Sequence, residues 1–441
     1  MKKSYQMPKS AQIILLLLFP IFIFGQKKIS TNLANYMQAQ VEVNNFSGTV
    51  LVSKNGSVLL KKAYGLADYE WNIKNTIDTK FQLASVTKQF TAAAVLQLVE
   101  KGKLSLDDKL NKFFPDYPKA DSVTIHMLLS HSSGLAMGFK ELAVSTISVD
   151  SAYAEIKKIP YEFSPGTKTA YSNIGYYILA KIIEKVSGEQ YAVYLRKNIF
   201  EKAGMKNTGV SNNDSIISKK AKVYYRMEKS YIHNPYINWG VNLGHDGVYS
   251  TVEDLALWDK ALYGTTILSE EMKELMFTSH NSENWGYGFI INPFYNHGHQ
   301  LIAHDGGFYG TMTSFNRFTD DKIFVTVLSN NESFSYIIGY GLSAIALQKE
   351  VELPYIHHQT KIDTALYDKY TGKYGAIEIL KIEGKLYYNT VEMELLPESK
   401  TKFFRADNND RTIEFIEDKS GNFSSIIFAK GGVREIFQKN N

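Results

Sequence analysis

The sequence contains no cysteine among its 441 residues. Disulfide bonds and lipid-modified cysteine anchors are therefore excluded, and the protein has to be stable from its hydrophobic core alone, as a large domain can be. A large net charge is also absent, since 49 basic and 45 acidic residues give +4. That balance differs from the basic surface of a nucleic-acid-binding protein, so we expect no nucleic-acid partner.

Long apolar runs are absent beyond the first 25 residues. There, three lysines accompany the apolar stretch Ile13–Phe24, which is shorter than the ~20 residues that a membrane-spanning helix needs. Gly25 is a small residue suited to a cleavage point, so we interpret residues 1–25 as a secretory signal peptide. We expect a periplasmic or secreted protein with no stable membrane insertion after cleavage. Ile23 is larger than the residue preferred at its position, which leaves an uncleaved anchor as the alternative.

The patterns along the chain predict strands first, then helices, then strands and a final helix. Asn55-Gly56 is a type I′ hairpin signal between the first two strands. Ser250 and Glu253 form a capping-box pattern before a helix. The predicted strands are 46–54, 57–64, 286–291, 310–315 and 323–328, and the predicted helices are 86–101, 174–186, one from 255 onward, and 334–349. This order predicts an α+β fold, an antiparallel sheet flanked by helices with an inserted, mostly helical region.

The pattern changes after residue 350. Residues 351–364 contain Pro354 and a polar stretch, which we interpret as a linker. Short alternating runs separated by turn signals then predict a small all-β domain over 365–441. The predicted strands of this domain are 369–374, 377–382, 385–390, 402–405, 412–416 and 424–428.

Ser85 and Lys88 form an S-x-x-K pattern where a helix is predicted to begin. A serine alone is a weak nucleophile, because its hydroxyl is almost wholly protonated at neutral pH. A lysine three residues later lies one helical turn away on the same face, where its amine can relay or accept the serine proton. On its own, the pattern more often marks an ordinary helix start with a solvated lysine, so it needs support from elsewhere in the chain.

Two further patterns follow downstream. Tyr171-x-Asn173 precedes a predicted helix, and a phenolate beside a lysine cation can act as a general base because the cation lowers the phenol pKa. The alternative is a packed tyrosine and a helix-start asparagine. His304-Asp-Gly306-Gly307 precedes a predicted strand, and two glycines there let a ligand approach the backbone closely. The alternative is a glycine-rich turn with a surface histidine.

Together, Ser85-x-x-Lys88, Tyr171-x-Asn173 and His304-x-Gly306 resemble the motifs of the serine β-lactamase and penicillin-binding-protein-like family, in the order typical of its class C β-lactamase, D,D-peptidase and esterase branch. The resemblance spans residues 32–350, which we take as a serine hydrolase domain of the β-lactamase/transpeptidase-like fold. The segment 365–441 resembles a small accessory domain often appended in this group.

The resemblance implies acyl transfer without a cofactor or metal. Ser85 would attack a carbonyl and form an acyl-enzyme, and Lys88 and Tyr171 would share the proton transfers. Asn173 would bind the substrate amide, and the backbone N–H groups of Ser85 and Gly307 would form an oxyanion hole. The implied substrate-binding residues are Asn173, His304, Gly306 and Gly307.

His304 stands where classical β-lactamases carry lysine, and a mostly neutral histidine is less able to dock a substrate carboxylate. This difference favours a peptidase or esterase over an efficient β-lactamase, with a small-molecule or peptide substrate that includes cell-wall fragments. The alternative function is a non-catalytic, penicillin-binding-like receptor for cell-wall peptides.

The remaining histidines carry weaker expectations. His131 is expected to bond local backbone in a turn, and His245 with Asp246, in a tight glycine-flanked loop, are candidate substrate contacts. The pairs His297-x-His299 and His357-His358 lack nearby cysteine or acidic ligands at metal-binding spacing, so we interpret them as solvated loop residues.

Overall fold

The computed structural model describes residues 9–138, 140–227, 230–390, 392–406 and 408–440, with side chains from residue 27 onward except those of 408 and 409. Two compact units are present, one formed by Asn45–Tyr340 and the other by the segment up to Asn44 together with Gly341–Asn441. The domain boundaries expected from the sequence stay predictions.

The first unit is built on a six-stranded antiparallel sheet. Its strands are β1 (Gly48–Lys54), β2 (Ser57–Tyr64), β10 (Ile290–Ile291), β11 (Leu301–Phe308), β12 (Thr311–Phe318) and β13 (Ile323–Ser329), in the order β10-β11-β12-β13-β1-β2. Its shorter strands are β3 (Leu66–Asp68), β4 (Ile73–Lys74), β5 (Phe81–Gln82), β6 (Gly209–Val210), β7 (Tyr224–Met227), β8 (Ser230–His233) and β9 (Val248–Ser250). The helices from the start of the chain through this unit are α1 (Lys9–Asn44), α2 (Lys88–Glu100), α3 (Ile125–Leu129), α4 (Lys140–Ala143), α5 (Val149–Ile156), α6 (Asn173–Ser187), α7 (Tyr191–Leu195), α8 (Glu201–Ala203), α9 (Val252–Ala261), α10 (Glu270–Phe277) and α11 (Ser335–Ala346).

The pairing of β1 with β13 joins the two ends of this unit. Gly48 lies opposite Ser329 and Lys54 opposite Ile323, so the first strand is hydrogen-bonded to the last one. Asn55 and Gly56 both adopt positive φ, 51° and 74°, as a type I′ hairpin requires. The predicted α+β fold, with its sheet halves drawn from opposite ends and helices between them, is therefore confirmed.

The helical region forms its core around α2 and α6. Phe90 of α2 packs against Trp258 of α9 at a ring distance of 4.8 Å. The Ser172 hydroxyl caps the start of α6, and Gly188 ends it in the left-handed conformation. For α9 the expected capping box is displaced by one residue, because Ser250 completes β9 and the Thr251 side chain accepts the hydrogen bond from the Asp254 N–H.

Near the site, one strand prediction was wrong and one strand was missed. Only Ile290–Ile291 of the segment 286–291 is a strand, because Gly288 has φ +73° and the chain turns there. The structure also has β11 at Leu301–Phe308, which contains the His304-Asp-Gly306-Gly307 segment. The glycines in that segment gave it the look of a turn, although pairing with β12 holds it as a strand.

In the second unit, a meander of eight antiparallel strands follows the short helix α12 (Tyr367–Tyr370). Its strands are β14 (Gly372–Tyr374), β15 (Ile377–Ile382), β16 (Lys385–Tyr388), β17 (Glu394–Pro397), β18 (Lys402–Arg405), β19 (Asn408–Glu417), β20 (Phe423–Lys430) and β21 (Val433–Gln438). A bridge between Tyr374 and Lys439 connects the two ends of the meander, so the all-β domain is barrel-like. The sequence patterns missed β17 and β21 and assigned the α12 residues 369–370 to a strand.

The expected signal peptide is described only in part. Met1–Pro8 lie outside the described residues, and α1 runs from Lys9 to Asn44. Among the residues that are described, no helix is long and apolar enough to cross a membrane. Cleavage and export stay predictions.

Candidate active site

Ser85 lies on a strained turn between a strand and a helix. The residues Ala84–Thr87 form a 3₁₀ turn that leads into α2, so the α-helix begins at Lys88 and not at residue 86, where it was predicted to begin. Ala84 has φ +49°, a conformation that a side chain disfavours. Leu83 holds the turn through two bonds, from its N–H to Val248 O and from the Thr313 hydroxyl to its carbonyl, each 2.8 Å. The tertiary structure therefore fixes the position of the serine.

The Lys88 amine reaches the Ser85 hydroxyl. Its Nζ atom lies 3.2 Å from Ser85 Oγ and 3.3 Å from the carbonyl oxygen of His245. Burial of Lys88 lowers its pKa to about 7, although the charge of Asp246 opposes the change. Near neutral pH a substantial share of Lys88 is therefore the free amine, which can accept a proton.

Tyr171 faces the same pair of residues. The Lys88 Nζ atom lies 4.8 Å from the centre of its ring. Burial raises the pKa of Tyr171 well above its usual range, although a contact with the Ser85 hydroxyl acts in the opposite direction. The expectation that the lysine lowers this pKa is wrong, because burial has the largest effect on Tyr171 and raises its pKa. At neutral pH Tyr171 is a phenol that can donate a proton.

The third motif lies on β11, next to the turn that carries Ser85. Gly306 is required there, because a Cβ atom would lie 2.4 Å from Leu83 O and 2.3 Å from Thr313 Oγ1. Gly307 is exposed and follows at the position where the chain opens to the cleft. The absence of a side chain at 306 lets the strand pass beside the nucleophile turn.

His304 is a neutral imidazole. Its Nδ1–H donates to the carbonyl oxygen of Asp305 at 2.6 Å, and its buried Nε2 has no hydrogen-bond partner among the described residues. Burial and the nearby Lys88 amine lower its pKa to about 3. The histidine therefore carries no fixed positive charge at neutral pH.

Asn173 begins α6 and faces a cavity. Its Oδ1 atom is buried without a hydrogen-bond partner among the described residues, so an acceptor remains for a ligand. The cavity has a volume of about 610 Å³. The residues that line it with Asn173 are Met137, Gly138, Lys140, Glu141, Ala143, Tyr225, Asn242, His245, Asp246, Gly307, Phe308, Tyr309, Gly310, Thr311, Met312 and Glu332.

His131 lies beside the site without reaching the nucleophile in a hydrogen bond. Its Nδ1 atom accepts from the Ser172 N–H at 3.1 Å, which is the local backbone contact expected from the sequence. Its ring packs 4.6 Å from that of Tyr171 and 4.7 Å from that of Trp285. Burial lowers the pKa of His131 well below its usual range, so the ring is neutral.

The other histidine pairs have structural partners. The Nε2–H of His297 donates to the carbonyl of Tyr340, and His299 lies 2.8 Å from the carboxylate of Asp321. His357 is buried against Phe404, contrary to the expectation of a solvated loop residue, because its ring stacks there at 4.9 Å. No cluster of three metal-ligating side chains occurs in the part of the chain that the structure describes.

Asp246 lies beside the nucleophile, a position that the sequence patterns did not indicate. It was a candidate substrate contact, yet its Oδ1 atom accepts a hydrogen bond from Ser85 Oγ at 3.3 Å. It is 3% exposed, and His245 Nδ1 donates to its Oδ2 at 2.8 Å. Two flanking glycines were the available signal, but they do not indicate that the carboxylate faces a residue 161 positions earlier.

A family model and a known relative each match most of this chain. A family model described as Beta-lactamase matches residues 33–340. Penicillin-binding protein 4* of Bacillus subtilis (strain 168) is 31% identical over 435 residues, which cover 89% of this chain and 95% of that protein.

Two solved structures extend the likeness to the fold. The octameric penicillin-binding protein homologue from Pyrococcus abyssi has a TM-score of 0.67 and 27% identity, and the match covers 92% of this chain and 99% of that one. A penicillin binding protein from Bacillus halodurans has a TM-score of 0.62 and 28% identity, and covers 71% of this chain and 99% of its own. The likeness therefore includes both the sequence and the three-dimensional arrangement.

Proposed function

The chain belongs to the Beta-lactamase family, and we propose that it is an exported serine hydrolase that transfers acyl groups from amide or ester substrates through Ser85. The observation that carries the proposal is the Lys88 amine, buried and with a pKa of about 7, lying 3.2 Å from Ser85 Oγ. An amine held near neutrality beside a hydroxyl is suited to accept its proton. The leader-like residues 1–25 support export.

The acylation step follows from these contacts. As Ser85 Oγ bonds to the substrate carbonyl carbon, its proton passes to the free Lys88 amine and the carbonyl electron pair moves to oxygen. Collapse of this tetrahedral intermediate breaks the bond to the leaving group. The leaving nitrogen or oxygen takes a proton from the Tyr171 phenol, and the Lys88 ammonium returns one to Tyr171.

Deacylation repeats the sequence with water. Water loses a proton to the free Lys88 amine as its oxygen bonds to the acyl carbon, and the proton returns to Ser85 Oγ as the ester bond breaks. The backbone N–H groups of Ser85 and Gly307 are the proposed donors to the oxyanion in both halves. Two preorganised donors of this kind are typically worth several kcal/mol to such a reaction.

The substrate class follows from charge. His304 is neutral, so it offers no cation to a substrate carboxylate, and this favours peptides, amides or esters over efficient β-lactam hydrolysis. The cavity beside Asn173 supports an acyl group with apolar or aromatic parts, since Tyr225, Phe308 and Met312 line it. Cell-wall fragments fit this description when their recognised end is uncharged.

The test is covalent labelling of the purified protein. A fluorophosphonate and a fluorescent penicillin should each add one mass increment to the wild type at Ser85, and none to Ser85→Ala. A panel of a chromogenic cephalosporin, a D-Ala-D-Ala peptide and a short-chain nitrophenyl ester then identifies the leaving group. We expect the ester to be turned over fastest, because the cephalosporin and the peptide each carry a carboxylate that neutral His304 cannot pair with.

The alternative is a receptor without turnover. The receptor proposal would replace the hydrolase proposal if wild type and Ser85→Ala bound cell-wall peptides equally and neither protein gained mass. Faster turnover of the cephalosporin than of the ester would contradict the substrate class while leaving the nucleophile in place.

A further inference from the structure

Asp246 is a buried carboxylate held in one position by its neighbours. Its backbone carbonyl accepts from Gln82 Nε2 at 2.6 Å, and its Oδ2 accepts from His245 Nδ1 at 2.8 Å. Gly244 begins the loop with φ +79°, and a Cβ atom there would lie 2.2 Å from Tyr176 O, so the loop packs tightly on α6. The carboxylate is therefore placed by the fold before any substrate arrives.

The other carboxylate oxygen of Asp246, Oδ1, is hydrogen-bonded to the nucleophile Ser85. Ser85 Oγ donates its single proton to Asp246 Oδ1 at 3.3 Å and accepts from Lys88 Nζ at 3.2 Å. This chain of bonds, from ammonium to hydroxyl to carboxylate, fits the protonated form of Lys88. Acylation needs the opposite direction of transfer, from Ser85 to a free amine, so Lys88 first has to lose a proton.

The charge of Asp246 acts on that loss. Burial raises the pKa of Asp246, but His245 and then Lys88 and the Ser85 hydroxyl lower it, and the net pKa lies below its usual value, so the carboxylate is ionised. On Lys88, burial lowers the pKa and Asp246 raises it. The titratable groups that face Lys88 are Asp246 with His245 on the loop, Tyr171 and Tyr176 at α6, His131 on its turn and His304 on β11.

Asp246 is ionised at neutral pH, because its pKa lies below the usual value. Tyr171 and Tyr176 are phenols because burial raises the pKa of both, and His131 and His304 are neutral because burial lowers theirs. A carboxylate within about 4–6 Å of a titrating amine changes its pKa by roughly 1–3 units in general.

We propose that Asp246 is a positioning residue of the acyl-transfer site, whose carboxylate holds the Ser85 hydroxyl and stabilises the ammonium form of Lys88. This inference rests on the proposed function. The negative charge of Asp246 makes Lys88 a stronger base than burial alone would allow. As a consequence, Lys88 becomes a free amine only at higher pH. A neutral residue at 246 gives a weaker base that is free at lower pH.

The first test is the pH profile of Asp246→Asn. With the nitrophenyl ester, we expect the acid limb of kcat/KM to move down by about one pH unit or more, and the plateau to fall because the base is weaker. Asp246→Glu should return the limb toward the wild-type position. Asp254→Asn is the matched control, a buried carboxylate at the start of α9 bonded to Thr208, and should leave the limb unchanged.

The second test needs no turnover. In protein labelled with ¹³C-lysine, the Lys88 signal, assigned by its loss in Lys88→Met, should titrate at lower pH in Asp246→Asn than in wild type. If Lys88 titrates at lower pH in Asp246→Asn but Ser85 is not labelled, the effect of Asp246 on Lys88 would be supported and the hydrolase proposal would be contradicted. An unchanged Lys88 titration, or a loss of activity at every pH with no movement of the acid limb, would overturn the inference.

Discussion

A Cβ atom on Gly306 would lie 2.4 Å from the carbonyl oxygen of Leu83. Leu83 precedes the strained Ala84 and the nucleophile Ser85, so β11 and the nucleophile turn are packed directly against each other. The glycine of the third motif therefore has a steric role in placing Ser85, in addition to any role toward substrate.

Gly306→Ala should lower Ser85 acylation by ~100-fold, because an added methyl forces the strand or the turn to move and a displacement of about 1 Å can cost that much. The measurement is the rate of fluorophosphonate labelling. Gly307→Ala is the neighbouring control, because its Cβ would meet the nearest atom, Met312 Sδ, at 3.4 Å and it retains the backbone N–H. Equal labelling of the two variants would contradict the steric argument.

Lys88→Ala should lower the acylation rate by roughly 10²–10⁴-fold, because the Ser85 proton loses its acceptor. Lys220 provides a matched variant. It is also buried, with a pKa lowered to about 8 by burial, but its amine donates to Ser211. In stopped-flow measurements of labelling, we expect Lys220→Ala to react at the wild-type rate and Lys88→Ala to react slowly. Normal acylation by Lys88→Ala would show that another group accepts the proton.

The wild-type pH profile should carry the pKa of Lys88. We expect kcat/KM for a neutral ester to rise with pH through about 7, since the free amine is the active form and burial lowers the Lys88 pKa to that value. Tyr171 stays protonated over this range, because burial raises its pKa well above the usual value. A profile that is flat between pH 6 and pH 8 would exclude Lys88 as the titrating base.

Stability should fall on acidification partly through His304. Burial lowers its pKa from 6.5 to about 3, so below pH 6.5 the unfolded chain binds a proton that the folded protein does not. Between pH 7 and pH 5 this difference removes about 2 kcal/mol from the free energy of unfolding. His304→Gln should lose less stability over that interval in urea titrations, whereas the exposed His358→Gln should follow the wild type. Parallel curves for all three proteins would mean that His304 is protonated in the folded state.

Local sequence signals predicted those parts of the fold that depend on neighbouring residues. Asn55-Gly56 predicts its hairpin because both residues tolerate positive φ, and Gly188 ends α6 for the same reason. The strand at Leu301–Phe308 was missed because its glycines look like a turn, and only the pairing with β12 makes it a strand. The family suggested by the three motifs is confirmed by the family model and by a relative that is 31% identical, whereas the roles of the individual site residues stay predictions.

By itself the sequence determined which chemical groups the protein has, and in what order: a serine with a lysine one turn away, a tyrosine with an asparagine, and a histidine with two glycines. Only the tertiary structure decided the protonation states of these groups and which residues lie next to them. Burial lowers the pKa of Lys88 to about 7, keeps Tyr171 a phenol and keeps the His304 ring uncharged. Asp246 lies beside Ser85 because a loop 161 residues away is folded against α6. Burial and long-range charge depend on distance in space, which spacing along the chain does not specify.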